Sequence, residues 1–449
     1  SLLKKIFLTF IILLISCSNE QDTYIGGKIL KKNNNEIFIR KDENLIKKIN
    51  INEAGIFFSK LDSVDDGLYN FFHLPEFQYL ILEKGDSLIL RLNVLDFDES
   101  LVFTGKGSSK NNYLIDIFLK HEEEEIFIKS KSNLKEKEFK KITDSLLKNK
   151  TDEYVRFIKN NSTTKTTKLI LKHAIKLPVY SSLETYISNL ELNLNSSEIY
   201  DFRNDIDLNI GSLSNFKPYL DYIISRTFNE SSQFQNKKNI SKLDYNLNRI
   251  DFVKKNISQA IIRSKILRYI AYEYLLEESN LVNIDTFLNK FLETSKNEKT
   301  NAEINQLFSN IISLQSGNII PEIELIDKNN LIIKTTGFDN KNPVIFVFWS
   351  YEQNSHQIGL FKRINRILDY NKNYDFHAIN INTDNGKWKN IINKYKNRTH
   401  LNHFRSVNFE NMSKKMILNN LNKVIITNKK GEINKILTIN ELETYLNLN

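Results

Sequence analysis

The chain has 449 residues, of which 41% are hydrophobic and 11% aromatic. This composition excludes a disordered chain and supplies enough apolar surface for two or three packed domains. The net charge is +9, but the basic residues are interspersed with acidic ones and form no long block. We therefore expect a solvated lysine-rich surface and no nucleic-acid partner.

The first 17 residues have the order of a secretory signal peptide. Lys4 and Lys5 precede a mostly apolar run at 6–15, and a small residue, Ser16, comes before Cys17. A run of about ten residues is too short to cross a bilayer as a helix. The sequence LISC, which ends at Cys17, resembles the lipobox of bacterial lipoproteins. The resemblance implies a signal peptide and lipidation site at residues 1–17.

Lipidation of Cys17 would join the protein to a membrane. Two acyl chains such as palmitate are enough for stable anchoring. We therefore expect a bacterial cell-envelope protein that faces the periplasm or lies on the outer-membrane surface, with a polar tether at 18–23. An ordinary secretion signal with an incidental cysteine is the alternative, and the residues do not decide which membrane is used. Because Cys17 is the only cysteine, no disulfide can form within the chain.

Residues 24–109 show short alternating apolar runs separated by turn residues, at 33–35, 65–67 and 84–86. This pattern predicts an antiparallel β-sandwich or small barrel. The segments 53–57, 81–86 and 103–107 resemble the β-rich domain that often precedes thioredoxin-like domains in exported bacterial lipoproteins. The predicted strands cover residues 24–30, 36–40, 56–58, 67–72, 79–82 and 87–92.

Residues 110–316 change to a helical period. Apolar residues recur at spacings of three and four along 253–275 and predict one long helix, with weaker stripes at 134–147, 183–192 and 284–292. Polar stretches at 160–163 and 229–232 predict loops between helices. These helices could form a spacer or a lid, and the sequence does not choose between the two.

No metal site is predicted. The acidic run that begins at His121 would point around a helix axis rather than converge on an ion. His400 and His403 have the spacing of metal ligands, but no carboxylate or thiol partner is evident nearby. We expect neither a metal nor another cofactor.

Residues 317–449 predict an α/β domain. Alternating runs at 321–327 and 331–333 indicate a hairpin, and the continuous apolar run 343–349 indicates a strand buried on both faces. A helix whose apolar side carries Phe361 and Ile364 follows, and then a strand at 376–381, which together complete a βαβ unit. The chain then predicts strands at 423–427 and 432–437 and a helix at 440–448.

This order, with Phe348 and Trp349 at the end of the buried strand, resembles the TlpA/ResA-like family of membrane-anchored thiol-disulfide oxidoreductases. The resemblance covers residues 317–449 and implies a thioredoxin-like fold. In that family a Cys-x-x-Cys motif opens the helix after the strand, where the helix terminus stabilises a thiolate. Gln353 and His356 occupy the two cysteine positions here, and Asn422 stands where the family has a cis-proline. We expect a trans peptide bond before Asn422 and no dithiol oxidoreductase activity.

The resulting candidate site is a degenerate active-site loop that could form a polar recognition surface. No catalytic residue is assigned, because Ser355 and His356 are sequence neighbours, which rarely achieve the geometry of a nucleophile and its base. Core packing is the structural alternative for Trp349, and a solvated position at the helix start is the alternative for His356. The possible ligand contacts are Trp349, Tyr351, Glu352, Gln353, Asn354, Ser355, His356 and Asn422.

The leading hypothesis is a multidomain α+β envelope lipoprotein that contains a β-rich domain, a helical middle and a redox-inactive thioredoxin-like domain. That domain would bind or scaffold an envelope protein. The alternative is an enzyme of the same family that has changed chemistry at the loop Gln353–His356. It predicts a concave pocket there and a base held by a second residue. A third hypothesis, an oxidoreductase that borrows thiols from a partner, is weaker because Cys17 would be blocked by lipid.

Overall fold

The computed structural model describes residues 22–189, 197–233, 240–338, 340–382, 385–395 and 398–446. The predicted signal peptide, the lipidation site Cys17 and most of the tether at 18–23 lie outside these ranges. The described residues form two compact units. The first comprises the residues up to Tyr274 together with Ser279–Asn297, and the second comprises Leu275–Glu278 and the chain from Glu298 onward.

The first unit begins with two four-stranded sheets. One has the strand order β4-β1-β7-β8 and the other the order β3-β2-β5-β6. Every strand predicted in this region is present, and the structure adds β3 and β8. The strands are β1 (Thr23–Leu30), β2 (Glu36–Lys41), β3 (Asn44–Asn50), β4 (Ile56–Leu61), β5 (Gly67–His73), β6 (Glu76–Leu82), β7 (Ser87–Asn93) and β8 (Val102–Lys106).

The two sheets share one apolar core and therefore form a sandwich rather than a barrel. In β7 the side chains of Leu88, Leu90 and Leu92 are buried while Ile89 and Arg91 are exposed, as the two-residue period of a strand requires. The inward residues of both sheets interdigitate in this core. They include Ile25, Ile29, Ile37, Ile39, Phe57, Phe71, Leu88, Leu90 and Phe103.

One strand pair contradicts the prediction of an antiparallel sandwich. β1 and β7 run parallel, with Ile25 opposite Leu88, whereas the pairs β1–β4 and β7–β8 are antiparallel. After β1 the chain contributes β2 and β3 to the other sheet and returns as β4, antiparallel to β1. It then contributes β5 and β6 to the other sheet and returns as β7 on the opposite side of β1, in the same direction as β1. Alternation of apolar residues specifies which face of a strand is buried but not its direction, so the sequence pattern could not show this pairing.

The rest of the first unit is helical. The prediction of a single helix along 253–275 is wrong. One helix ends before Ile257, whose backbone is extended, and the next helix begins at Ala260. The loop predicted at 229–232 is also wrong, since these residues lie inside a helix in which buried Asn229 bonds to Glu184. The α-helices are α1 (Phe97–Ser100), α2 (Ser108–Ser130), α3 (Glu136–Asn160), α4 (Lys165–Asn189), α5 (Lys217–Gln233), α6 (Lys242–Asn256), α7 (Ala260–Leu275) and α8 (Leu281–Thr294).

The second unit contains a seven-stranded sheet of order β10-β9-β13-β12-β11-β14-β15. The hairpin, the βαβ unit and the final strand pair are present as predicted, and the sequence missed β13, α11 and α12. The elements are α9 (Glu298–Ser313), β9 (Glu324–Asp327), β10 (Ile332–Lys334), β11 (Val344–Trp349), α10 (Asn354–Tyr370), β12 (Asp375–Asn380), α11 (Asn385–Ile392), β13 (Leu401–Ser406), α12 (Phe409–Met416), β14 (Lys423–Thr427), β15 (Ile433–Thr438) and α13 (Leu442–Tyr445).

β11 is an interior strand of this sheet, and all six of its residues are buried. It pairs in parallel with β12 and antiparallel with β14, and β12 pairs in parallel with β13. Alternate side chains enter two cores: Ile345, Val347 and Trp349 pack with α10, while Phe346 and Phe348 pack with the methionines of α12. A parallel βαβ unit flanked by an antiparallel strand pair, with helices on both faces, is a thioredoxin-like arrangement.

Candidate functional site

The predicted site lies at the carboxyl ends of the parallel strands β11 and β12. Ser350 directly follows β11, and α10 begins four residues later at Asn354. Loops at this edge of a parallel sheet commonly bind ligands, because the strands fix their position while the loops remain accessible. The sheet order therefore brings the loop after β11 next to the segment after β12.

Two asparagines hold the first part of this loop. The hydroxyl of Ser350 donates to Asn382 Oδ1 at 2.8 Å, and the backbone N–H of Tyr351 donates to the same oxygen at 3.2 Å. Fully buried Asn380 in turn accepts from the backbone N–H of Asn382 at 3.0 Å. Glu352 N–H donates to the Ser350 hydroxyl at 3.1 Å. The turn is thus fixed by side-chain hydrogen bonds where the sheet ends.

The two residues at the cysteine positions lie at the start of α10. Gln353 is exposed and precedes the helix, where its carbonyl accepts from the Gln357 N–H at 2.9 Å. His356 is half-buried, and neither ring nitrogen completes a hydrogen bond with a described residue. Burial lowers the pKa of His356, and the backbone of Leu421 opposes part of that shift. At neutral pH the imidazole is therefore uncharged.

The structure brings His356 towards the loop that carries Asn422. Within residues 22–446, as far as they are described, Leu74–Pro75 is the cis peptide bond, so the bond before Asn422 is trans. The Asn422 N–H donates to Asn420 Oδ1 at 2.9 Å, and its carbonyl accepts from the Ile439 N–H at 2.7 Å. Because the Asn422 N–H already donates to Asn420, it is not free to pair with the backbone of a ligand.

Lys423, next to Asn422, is a feature that the sequence reasoning missed. Its ammonium donates to the carbonyls of Met416 at 2.8 Å and Ile417 at 3.1 Å, at the C-terminal end of α12. Cations stabilise this end of a helix. Burial lowers the pKa of Lys423 to about 8. The contacts make Lys423 a cap of α12, and no local sequence pattern marks it.

The remaining loop residues divide into a buried and an exposed group. Trp349 is fully buried, with its ring 5.3 Å from that of Phe361, so it supports the loop from within the core. Tyr351 is half-buried and has the Lys387 ammonium 5.2 Å from its ring centre. The exposed residues are Glu352, Gln353, Asn354 and Ser355.

This arrangement suits recognition better than nucleophilic chemistry. A catalytic hydroxyl needs a base within hydrogen-bonding distance, and that base needs a third group to orient it. Among the described residues, the His356 ring has no such partner and makes no hydrogen bond with Ser355. The loop offers exposed amide, hydroxyl and carboxylate groups, together with the unpaired backbone N–H groups that begin every helix.

A cavity of about 870 Å³ in the first unit was not anticipated from the sequence. Its walls come from β6, α2, α4 and the start of α5, with single residues from α1 and α3, and none of its lining residues belongs to the loop around Gln353. Aromatic Phe77 and Phe118 line it beside Asp98. Burial and the neighbouring carboxylates of Glu122 and Glu76 raise the pKa of Asp98. Such a cavity is large enough for a small molecule.

Neither a membrane-spanning helix nor a metal centre is found in the described ranges. None of the helices there combines the length and the apolar character needed to cross a membrane. In those same ranges no three His, Cys, Asp or Glu side chains converge in a way that could hold a metal ion.

About 30% of the chain has structural counterparts among solved proteins, whereas no protein-family model and no curated protein matches the sequence. The thioredoxin domain of a thiol-disulfide oxidoreductase from Bacteroides vulgatus is 18% identical, with 30% of this chain and 97% of that chain covered and a TM-score of 0.25. A thiol-disulfide oxidoreductase from Bacteroides fragilis is 16% identical, with coverages of 29% and 98% and a TM-score of 0.25. A thiol peroxidase from Chromobacterium violaceum is 12% identical, with coverages of 30% and 86% and a TM-score of 0.26.

Proposed function

We propose that the chain is a membrane-anchored cell-envelope lipoprotein whose thioredoxin-like domain binds a partner and does not exchange disulfides. The observation that carries this proposal is the first turn of α10. Gln353 and His356 occupy the positions at which a dithiol would stand, and the one cysteine of the chain is at position 17. Disulfide exchange by a Cys-x-x-Cys site needs a second thiol to resolve the mixed disulfide.

The binding role rests on the loop that α10 presents. Glu352, Gln353 and Ser355 are exposed, while the Ser350–Asn382 hydrogen bond fixes the backbone behind them. A loop held in one conformation loses little entropy when it binds, which favours affinity. Its polar groups suit an envelope protein that presents a polar or extended segment.

Reductase assays test the loss of dithiol chemistry. Residues 18–449, which include every described element, should not accelerate dithiothreitol-dependent reduction of insulin. The double variant Gln353→Cys/His356→Cys should form a disulfide and gain this activity, because the pair stands three positions apart at the start of α10, where the helix terminus stabilises a thiolate. A matched control places the pair one residue later, at Asn354→Cys/Gln357→Cys. Turnover by the unmodified chain would contradict the proposal.

Crosslinking tests the binding role in the anchored protein. A photo-reactive amino acid at Gln353 should capture a specific envelope protein, whereas the same group at exposed Asn373 should not. Palmitate labelling tests the anchor separately: it should require Cys17 and be lost in Cys17→Ser. If the two positions capture the same proteins, the loop is not the binding surface.

A further inference from the structure

The first sheet of the sandwich exposes apolar side chains on its outward surface, which we call the outer face. It is formed by the outward residues of β4, β1, β7 and β8. Phe58 is 63% exposed, Val102 51%, Ile56 48% and Ile89 39%. Contiguous exposed apolar surface on a folded domain marks an interaction site.

The centre of the outer face is flat because Gly26 has no side chain. The Phe58 ring covers Gly26, where an added Cβ would lie 2.5 Å from a ring carbon of Phe58 and 3.2 Å from the Ile89 side chain. Tyr24 stacks on Phe58 with a centroid distance of 5.6 Å. The aromatic and aliphatic groups therefore form one continuous surface across three strands.

Cations accompany this apolar surface. Lys28, Arg91 and Lys106 point outward and form no ion pair with a described residue, whereas Lys60 pairs with Asp22 at 2.6 Å. In the described strands β1, β4, β7 and β8, no outward position carries an aspartate or glutamate. The outer face thus combines apolar contact area with uncompensated positive charge.

The position of the outer face in the chain limits what can cover it. β1, which supplies its centre, begins only a few residues after Cys17. From Cys17 to Tyr24 an extended chain reaches at most ~25 Å. A lipid on Cys17 would therefore keep this face within a short distance of the membrane surface.

We propose that the outer face lies on the surface of an anionic phospholipid membrane. Its lysines and arginine meet the lipid phosphates while Phe58, Ile56 and Val102 contact the boundary between headgroups and acyl chains. The proposal rests on the lipid anchor of the proposed function and names the surface that the anchor presents. Pairing of two outer faces is disfavoured, because it would bring together the unpaired cations of both copies.

Site-specific fluorescence tests the orientation. Residues 18–449 contain no cysteine, so Val102→Cys can be labelled alone with an environment-sensitive dye. With phosphatidylglycerol vesicles the dye should brighten and shift to the blue, and with phosphatidylcholine vesicles it should not. The matched control is Leu45→Cys, which is 53% exposed on the other sheet. No response at position 102, or an equal response at both positions, would overturn the proposal.

Binding by variants separates the two contributions. Lys28→Gln/Arg91→Gln should weaken vesicle partitioning by about fivefold per charge, while Lys372→Gln/Lys429→Gln should have a much smaller effect. Phe58→Ser should weaken binding further and leave the circular dichroism spectrum unchanged, because this side chain is largely exposed. Equal losses in both charge pairs would refute a specific face.

The unlipidated chain is used throughout, so the result is independent of palmitate labelling and of the reductase assay. If palmitate labelling at Cys17 fails but the dye at position 102 still responds to the vesicles, the outer face binds the membrane and the lipid anchor is absent. If palmitate labelling succeeds and the dye at position 102 does not respond, the protein has its lipid anchor but the outer face does not lie on the membrane.

Discussion

Individual histidines in the second unit are held without charge by the packing around them. His377 is buried among Phe338, Phe346 and Phe404, with ring centroids 4.4 to 5.2 Å away. Burial lowers the pKa of His377 to about 4, and the nearby carboxylate of Asp375 opposes only part of that shift. The imidazole serves as a core aromatic ring rather than as an acid or base.

This burial makes the stability of the second unit depend on pH. In the unfolded chain the pKa of His377 is about 6.5. Between pH 6.5 and about 4, His377 is therefore protonated in the unfolded state and unprotonated in the folded state. Stability should therefore fall as the pH drops through this window, by about 3 kcal/mol for one such histidine, and should be unaffected by it above pH 6.5. His377→Phe should remove this contribution.

Urea denaturation followed by tryptophan fluorescence measures the effect, because both tryptophans, Trp349 and Trp388, lie in the second unit. His403, whose pKa burial likewise lowers to about 4, should supply part of the pH dependence that remains in His377→Phe. The double variant His377→Phe/His403→Phe should lose both contributions. An unchanged pH slope in His377→Phe would show that the folded protein accepts this proton.

A second prediction at the residue scale concerns the turn before α10. Asn382 Oδ1 accepts from both the Ser350 hydroxyl and the Tyr351 N–H. Asn382→Ala should destabilise the second unit by about 1–3 kcal/mol, because it leaves these donors without a protein partner. Asn373→Ala at an exposed site should change the free energy of unfolding by less than about 0.5 kcal/mol. Equal effects would mean that the turn is held by other contacts.

At the scale of elements, a buried ionic cluster joins the sandwich to the helices of the first unit. Lys110 on α2 donates to Glu83 at 2.8 Å and to Asp86 at 2.7 Å, both in the turn between β6 and β7. Thr164 and Thr167, at the start of α4, donate to the other oxygen of Glu83. Burial alone would raise the pKa of Glu83, but the bonds from Lys110 and the threonines lower it.

Removing the cation should therefore cost more than removing an exposed one. Lys110→Met leaves two carboxylates in a buried cluster without a counter-charge and should lower the free energy of unfolding by about 3–5 kcal/mol. Lys47→Met breaks the exposed pair with Asp62 and should cost less than about 1 kcal/mol. Chemical denaturation followed by circular dichroism distinguishes the two. Equal losses would show that the cluster does not stabilise this junction.

Elements with a continuous or regular apolar pattern could be predicted, and those held by their neighbours could not. The run that forms β11 is apolar throughout and was identified within one residue. β13 was missed because Leu401 and Phe404 are its only buried apolar residues, and pairing with β12 and β9 holds it as a strand. In β3 only Ile49 is buried, so pairing with β2 defines that strand.

The site shows the same division between local and long-range information. The positions of Gln353 and His356 followed from the strand and helix that flank them. The bond between Ser350 and Asn382 joins residues 32 positions apart, and the 870 Å³ cavity draws its walls from several elements. Such contacts exist only after the chain has folded, and no local spacing encodes them.

At the scale of the whole molecule, each unit has its own apolar core, and no disulfide within the chain links them because the chain has one cysteine. Separate cores allow each unit to unfold in its own transition, in which case a single midpoint does not describe the protein. Circular dichroism reports mainly the helices of the first unit, whereas tryptophan fluorescence reports the second unit alone. The two signals should therefore give different midpoints.

Destabilising one core at a time tests this independence. Leu360→Ala, which removes a buried side chain from the core that contains Trp349, should cost about 2–5 kcal/mol and shift the fluorescence transition. Lys110→Met should shift the circular dichroism transition and leave the fluorescence transition in place. Neither shift should depend on added reductant. If each variant shifts both transitions together, the two units unfold in one cooperative transition. A substitution that destabilises the sandwich would then also destabilise the loop around Gln353.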